Sequence, residues 1–230
     1  MSRILLWSGG LDSTISWFYL EKPKTVFVNL GHKYHAQEYF TCKALAKRLK
    51  MDFVLDKRLY LGDHEAPDAY IPMRNLFLAM VGVLYGDEVY LVFQRGEQGI
   101  PDRSPEFLKF ASKMLSFLNG RKVVVDSPFL RMTKADMIKW YIDEGHPLDV
   151  LYKTYSCFAK DMFESPCGEC PACFRRWIAF AYNDLPLIFK RDIKEWPGIQ
   201  EYVEKIKAGE YEARRANQIV DVLRRHKLWK

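Results

Sequence analysis

An α/β fold, built on a doubly wound and mostly parallel five-stranded sheet, is what this sequence predicts. Three observations carry the prediction. Short apolar segments alternate with longer amphipathic ones over the first two-thirds of the chain, the order expected of βαβ units. Loops bearing glycine or proline follow several of the short segments, where an open sheet gathers ligands beyond the carboxyl ends of its strands. After residue 150 the pattern changes to a cysteine-rich stretch and then to helical segments. The expected division is residues 1–150 as the α/β domain and 151–230 as a helical C-terminal region packed on it.

Taken in order, Arg3–Trp7 reads as the first strand and Leu11–Leu20 as the helix after it. Thr25–Asn29 is the second strand. Tyr34–Leu49 has helical periodicity, with apolar Phe40, Ala44 and Leu49. Asp52–Leu55 is the third strand. Pro72–Tyr85 is expected to be a helix with proline in its first turn, where a missing N–H costs nothing. Its apolar part, Leu76–Tyr85, has the length of a buried helix. Glu88–Phe93 and Lys122–Val125 complete the sheet. Between them Ser104 caps a helix that Pro105 opens, and Thr133 caps another that runs to about Glu144. Thr154–Arg176 shows little periodicity. Trp177–Lys190 and Gly198–Trp229 read as helices separated by the Pro197-Gly198 break.

The bulk composition is that of a globular protein: 230 residues, 49% hydrophobic and 28% charged. No apolar run approaches the roughly 20 residues that span a bilayer. Met1-Ser2-Arg3 leads directly into Ile4–Trp7, too short for an export signal, so a cytoplasmic protein is expected. A net charge of +6 favours anionic partners. Arg214–Lys230 holds six basic residues and one acid, Asp221. It reads either as a surface for RNA or a protein partner, or as a solvated helix face with Ile219, Val222 and Leu223 inward.

Ser8-Gly9-Gly10-Leu11-Asp12-Ser13 stands between the first strand and the first helix. Glycines let a backbone come close to an anion. The amides that open the helix, and its dipole, favour negative charge there. Ser8 and Ser13 add hydroxyl donors, and Asp12 can organise Mg²⁺ or orient the loop. The Gly-x-x-x-x-Gly-Lys-Ser/Thr string of a Walker A loop is absent, which disfavours kinase and GTPase chemistry.

Four of the five cysteines, Cys157, Cys167, Cys170 and Cys173, fall in a C-x9-C-x2-C-x2-C pattern. Such a cluster reads as a metal site rather than as disulfides when no export signal is present. Four thiolates suit a closed, structural tetrahedral zinc. The rival is an iron–sulfur cluster, although the fourth cysteine of a ferredoxin-type run, followed by proline, is missing. Cys42 is read as a buried apolar residue.

The six-residue loop resembles that of the PP-loop ATP pyrophosphatases. The wider set resembles the 7-cyano-7-deazaguanine synthase family of queuosine-precursor biosynthesis. The resemblance rests on Asn29–His35 after the second strand, Pro72-Met73-Arg74-Asn75, Gly96 with Pro101–Phe107, Lys134 at a helix start, and the segments Thr154–Cys157 and Cys167–Arg175. It implies an adenine nucleotide α-hydrolase-like fold, Mg²⁺-ATP, a structural zinc on the four cysteines, and an ATP-dependent carbon–nitrogen ligase. A 7-carboxy-7-deazaguanine-type carboxylate would be adenylated and passed to ammonia, giving the amide or the nitrile (preQ0).

The resemblance also implies roles. Ser8, Gly9, Gly10, Leu11, Asp12, Ser13, Asn29 and Lys134 would bind ATP or pyrophosphate. Ser13, Lys134, Arg74 and Asp102 would act in catalysis. His32, Arg74, Asn75, Gly96 and Asp102 would meet the deazapurine. Arg74, Lys134, Asp102 and His32 also read as ordinary surface or turn residues. Leu30, His32, Ile100 and Arg103 depart from the family's residues, and the chain after Phe180 lies outside the resemblance. Two other readings compete: a PP-loop tRNA-thiolating enzyme, and a divergent relative that attaches a deazapurine to a macromolecule or only regulates. A homodimer is compatible with all three.

Overall fold

The computed structural model of the protein describes residues 2–51, 53–67, 69–97, 99–158 and 165–229. They fall into two compact units. One comprises residues 1–93, 97–130 and 148–155, the other 94–96, 131–147 and 156–230.

The first unit holds a five-stranded sheet: β1 (Arg3–Leu6), β2 (Lys24–Val28), β3 (Phe53–Asp56), β4 (Glu88–Tyr90) and β5 (Val124–Asp126). The order is β3-β2-β1-β4-β5 and every pairing is parallel, with Leu5 opposite Thr25 on one side and Tyr90 on the other. Helices α1 (Leu11–Tyr19), α2 (His35–Leu49), α3 (Arg74–Val83), α4 (Pro105–Asn119) and α6 (Leu148–Lys153) belong to this unit; α5 (Lys134–Asp143) belongs to the other.

Side chains alternate across a strand, and the sheet uses both faces. Ile4, Leu6, Val26, Val28 and Val89 pack with Ala79, Val83, Leu108, Ala111 and Leu115 from α3 and α4. Leu5, Trp7 and Phe27 pack on the opposite side with Trp17, Cys42, Leu45 and Val150. A sheet covered on both faces needs near-continuous apolar strands, which explains Ile4-Leu5-Leu6-Trp7. The strand order reverses at β1, so the crevice at the end of β1 is the switch point where such folds bind ligands.

Several boundaries differ from expectation for local reasons. The expected start of β3, Asp52, lies outside the described residues. Helix α3 begins at Arg74 rather than at Pro72: Met73 takes φ 55, and Arg74 N donates to Ile71 O at 3.3 Å, so a turn precedes the helix. Nor is that helix buried throughout, since Met80 and Leu84 are exposed. The fourth strand ends at Tyr90; Phe93 N donates instead to Ser127 Oγ at 2.8 Å, where a side chain replaces the ladder.

The second unit contains α5, α7 (Pro171–Tyr182), α8 (Ile199–Lys207) and α9 (Ala213–Arg225). Thr133 and Asp136 close a capping box on α5. Cys170 caps α7 and Pro171 opens it, so this helix starts six residues before the expected Trp177 and stops at Tyr182. The expected single helix over 198–229 is two, because Glu212 starts a new one by accepting from Arg215 N at 3.0 Å. Asn183 Nδ2 donates to Ala135 O at 3.0 Å, and the Phe174 ring meets Tyr202 at 4.4 Å. Ile219, Val222 and Leu223 are buried. Among the described residues, no helix is long and apolar enough to cross a membrane.

Candidate functional site: an anion loop, a charged cluster and four cysteines

The loop from β1 to α1 is built to present amides. Gly9 sits at φ +70, and a Cβ there would lie 3.0 Å from Cys42 N and 3.1 Å from Cys42 Sγ. Only glycine therefore passes between the strand end and α2 without strain. Gly10 is the extended N-cap residue of α1 and no side chain caps that helix. The opening amides lack intrahelical partners by the geometry of any helix, and here they face the end of β1. Ser13 Oγ accepts from Ser8 N at 3.3 Å and donates to Gly10 O at 3.2 Å; Ser8 Oγ lies 3.3 Å from it. The two hydroxyls tie the loop into one fold. Leu11 is buried at 1% exposure, so its contribution to an anion is its backbone. Asp12 is half-buried in the first turn. Trp7 Nε1 donates to Thr14 Oγ1 at 3.3 Å, pinning the strand to the helix.

Beyond β2, Asn29 Oδ1 accepts from Gly31 N at 2.9 Å, shaping the turn. Leu30 is 3% exposed and belongs to the core, so its departure from tyrosine is a packing change. His32 Nε2 lies 3.4 Å from Glu38 Oε2, while its Nδ1 is buried without a hydrogen-bond partner. Arg74, first residue of α3, is enclosed enough that burial pulls its pKa below the usual arginine value. Arg103 repels it in the same direction, and Glu38, Asp102 and Glu97 oppose the fall. Asp102 Oδ2 accepts from Asn75 N at 3.3 Å, and Asp102 O accepts from Asn75 Nδ2 at 3.2 Å. The carboxylate thereby supplies the start of α3 with the acceptor its own N-cap lacks. Arg103 pairs with Glu97 at 3.2 Å. The first unit thus brings His32, Arg74, Asn75 and Asp102 into one charged cluster. Glu38, Glu97 and Arg103 complete it, and sequence reasoning did not place them there.

Gly96 and Lys134 belong to the second unit. Lys134 is the half-buried first residue of α5. Gly96 O accepts from Arg215 Nη1 at 2.8 Å.

The four cysteine sulfurs lie within 4.8 Å of one another. Cys167 Sγ and Cys173 Sγ are 3.8 Å apart, matching the ~3.8 Å edge of a tetrahedron with bonds near 2.3 Å. Backbone amides donate to three sulfurs: Cys167 N to Cys157 at 3.4 Å, Glu169 N to Cys167 at 3.3 Å and Cys173 N to Cys170 at 3.4 Å. Gly168 takes φ +78, and a Cβ there would come 2.2 Å from Arg191 O. Burial pushes the Cys167 thiol up to about 11, and its neighbours' sulfurs hold the Cys173 thiol above its ordinary value. A cation reverses that logic by binding the thiolates. The donor set fits one metal ion. Cys42, by contrast, is wholly buried on α2, where burial raises its pKa, and it packs as an apolar residue.

The family model described as queuosine biosynthesis protein QueC matches residues 52–184, more than half of the chain. The chain belongs to the QueC family. Among curated relatives, 7-cyano-7-deazaguanine synthase of Methanoculleus marisnigri is 27% identical over 210 residues, covering 77% of this chain and 92% of that one. The enzyme of the same name from Aquifex aeolicus is 28% identical over 209 residues, covering 75% and 93%. 7-Cyano-7-deazaguanine synthase 2 of Desulfitobacterium hafniense is 27% identical over 209 residues, covering 77% and 88%. The QueC match includes Arg74, Asn75, Gly96, Asp102, Lys134 and all four cysteines. Helices α8 and α9 lie beyond its end.

Proposed function

We propose that this QueC-family chain is an ATP-dependent carbon–nitrogen ligase. In this reading it adenylates a 7-carboxy-7-deazaguanine-type carboxylate and delivers it to ammonia, giving the amide or the nitrile. The observation that carries the reading is the uncapped start of α1 behind Gly9 and Gly10, braced by Ser8 and Ser13. The names of the curated relatives support the substrate class.

A carboxylate resists nucleophiles until one oxygen becomes a good leaving group. Attack of that oxygen on the α-phosphorus of ATP expels pyrophosphate, and ammonia then displaces AMP from the acyl carbon. The protein's share is positioning and charge stabilisation. The 8–13 loop would hold the departing pyrophosphate, with Asn29 shaping the neighbouring turn. Arg74 and Lys134 would neutralise phosphate charge. Asp102, with Oδ2 taken by Asn75 N, would offer Oδ1 to the N–H donors of a guanine-like edge. His32 would border the deazapurine. Mg²⁺ would travel with ATP. Cys157, Cys167, Cys170 and Cys173 would hold a structural zinc that fixes the start of α7.

Incubating the protein with Mg²⁺-ATP, ammonia and 7-carboxy-7-deazaguanine should release AMP and pyrophosphate with formation of amide or nitrile, followed by chromatography and mass spectrometry. Absence of AMP under every combination, from folded protein, overturns the reading.

A further inference from the structure

The second unit encloses a cavity of about 30 Å³, the room of one small polar group. Lys134 from α5, Arg175 from α7, and Tyr211, Arg215 and Gln218 from α9 and its approach all line it, together with Gln94. Three cations line this space and no carboxylate does.

The acids that flank these residues in the chain are committed to other arginines. Asp136 accepts from Arg214 Nε and Nη2 at 2.8 and 2.7 Å, and from Gln218 Nε2 at 3.0 Å. Glu212 Oε1 accepts from Arg95 Nε at 2.8 Å, and its Oε2 caps α9. Arg215 is held by neutral acceptors instead: Nη1 donates to Gly96 O at 2.8 Å and Nη2 to the Tyr211 hydroxyl at 3.0 Å. Its guanidinium also lies over the Tyr211 ring, 4.9 Å from the centroid. These contacts fix its direction while leaving its charge uncompensated. The N-terminal end of α5 adds the positive pole of a ten-residue helix to the same wall. Like charges gathered at a partly desolvated wall repel, and an anion between them turns that repulsion into binding.

We propose that this cavity binds one anionic group, a phosphoryl or a carboxylate, and that Arg215 is a ligand which α9 adds beside Lys134. This helix lies beyond the QueC match, so the added cation is a feature of this chain. The inference rests on the reading of Lys134 given above. The proposed reaction has two sources of such a group: the pyrophosphate portion of ATP and the carboxylate of the deazapurine.

Calorimetry on wild type, Arg215→Gln and Arg215→Lys, titrating inorganic pyrophosphate and 7-carboxy-7-deazaguanine separately, tests it without turnover. Arg215→Gln should weaken one of them about ten-fold or more, the size expected for one lost charge-assisted hydrogen bond. Arg215→Lys should recover most of the loss, and the anion affected names the source. Because the glutamine variant also touches the Gly96 contact, wild-type protein should be labelled in parallel with an arginine-specific dicarbonyl and read by mass spectrometry. The bound anion should shield Arg215. Unchanged affinity for both anions in a folded glutamine variant, no shielding by either, or no binding of either to wild type overturns the proposal. Anion binding through Arg215 without AMP release would leave this site standing and remove the adenylation reading. AMP release with unaltered binding in Arg215→Gln would do the reverse.

Discussion

At the residue scale the anion loop depends on what two positions lack and one possesses. Gly9 lacks a Cβ where one would press on Cys42 N and Sγ at φ +70. Gly9→Ala should therefore lower stability by about 1–3 kcal/mol, the usual cost of a forced left-handed residue, and should also weaken pyrophosphate binding; urea unfolding and calorimetry separate the two effects. Ser13→Ala leaves that backbone path open but deletes the hydroxyl that accepts from Ser8 N and donates to Gly10 O. If this hydroxyl helps present donors to the leaving pyrophosphate, kcat for AMP release should fall ~10²-fold with little change in melting temperature. This loop was legible in the sequence because its six residues are contiguous and their chemistry is local. The companions of Arg74 were not. Glu38, Glu97 and Arg103 come from α2 and from the two sides of Gln98, and they meet only after the sheet has set the spacing of the loops.

At the element scale, capping decides where the chain departs from its apparent periodicity. Apolar spacing predicts a helix from Trp177, but Cys170 accepts from Cys173 N and Pro171 occupies the first turn, so α7 begins inside the cysteine pattern. The same residues are metal ligands and helix cap, and a pattern read only for ligands hides the helix. The short α6 was missed for a related reason: its six residues carry too few turns to show a period. Joining ligands to a helix start has a consequence. One zinc per chain, without iron, is expected from metal analysis. Its removal by a chelator should fray α7 and loosen the Phe174 contacts with Trp196 and Tyr202, seen as lost helical circular dichroism and altered tryptophan fluorescence. Cys173→Ser should reproduce both changes. Iron in the purified protein, or a chelated sample with unchanged spectra, would contradict the structural-zinc assignment.

At the scale of the whole molecule, the doubly wound sheet was legible because element order alone specifies it. Its register and polar anchors were not legible, since they join residues distant in sequence. Asp56 is the clearest anchor. It is 2% exposed at the end of β3 and accepts from Arg58 N at 2.9 Å, Arg58 Nε at 3.0 Å and the Tyr85 hydroxyl at 2.8 Å. The Arg58 hydrogen bonds hold its carboxyl at about 2, against 3.8 for the free group. A folded-state pKa below the unfolded one stabilises at every pH above the unfolded value. That contribution is lost as pH falls through the folded value. Asp56 should thus contribute about 2 kcal/mol near neutrality and lose it between roughly pH 4 and pH 2. Asp136 and Glu212, both lowered by arginine and backbone donors against the opposing effect of burial, act with the same sign in the second unit. Urea unfolding from pH 7 to pH 2.5 should show a decline concentrated below pH 4. Asp56→Asn should be less stable at pH 7 and show a shallower decline. An equal slope in the variant would mean that the buried carboxylate does not govern the acid response of the sheet.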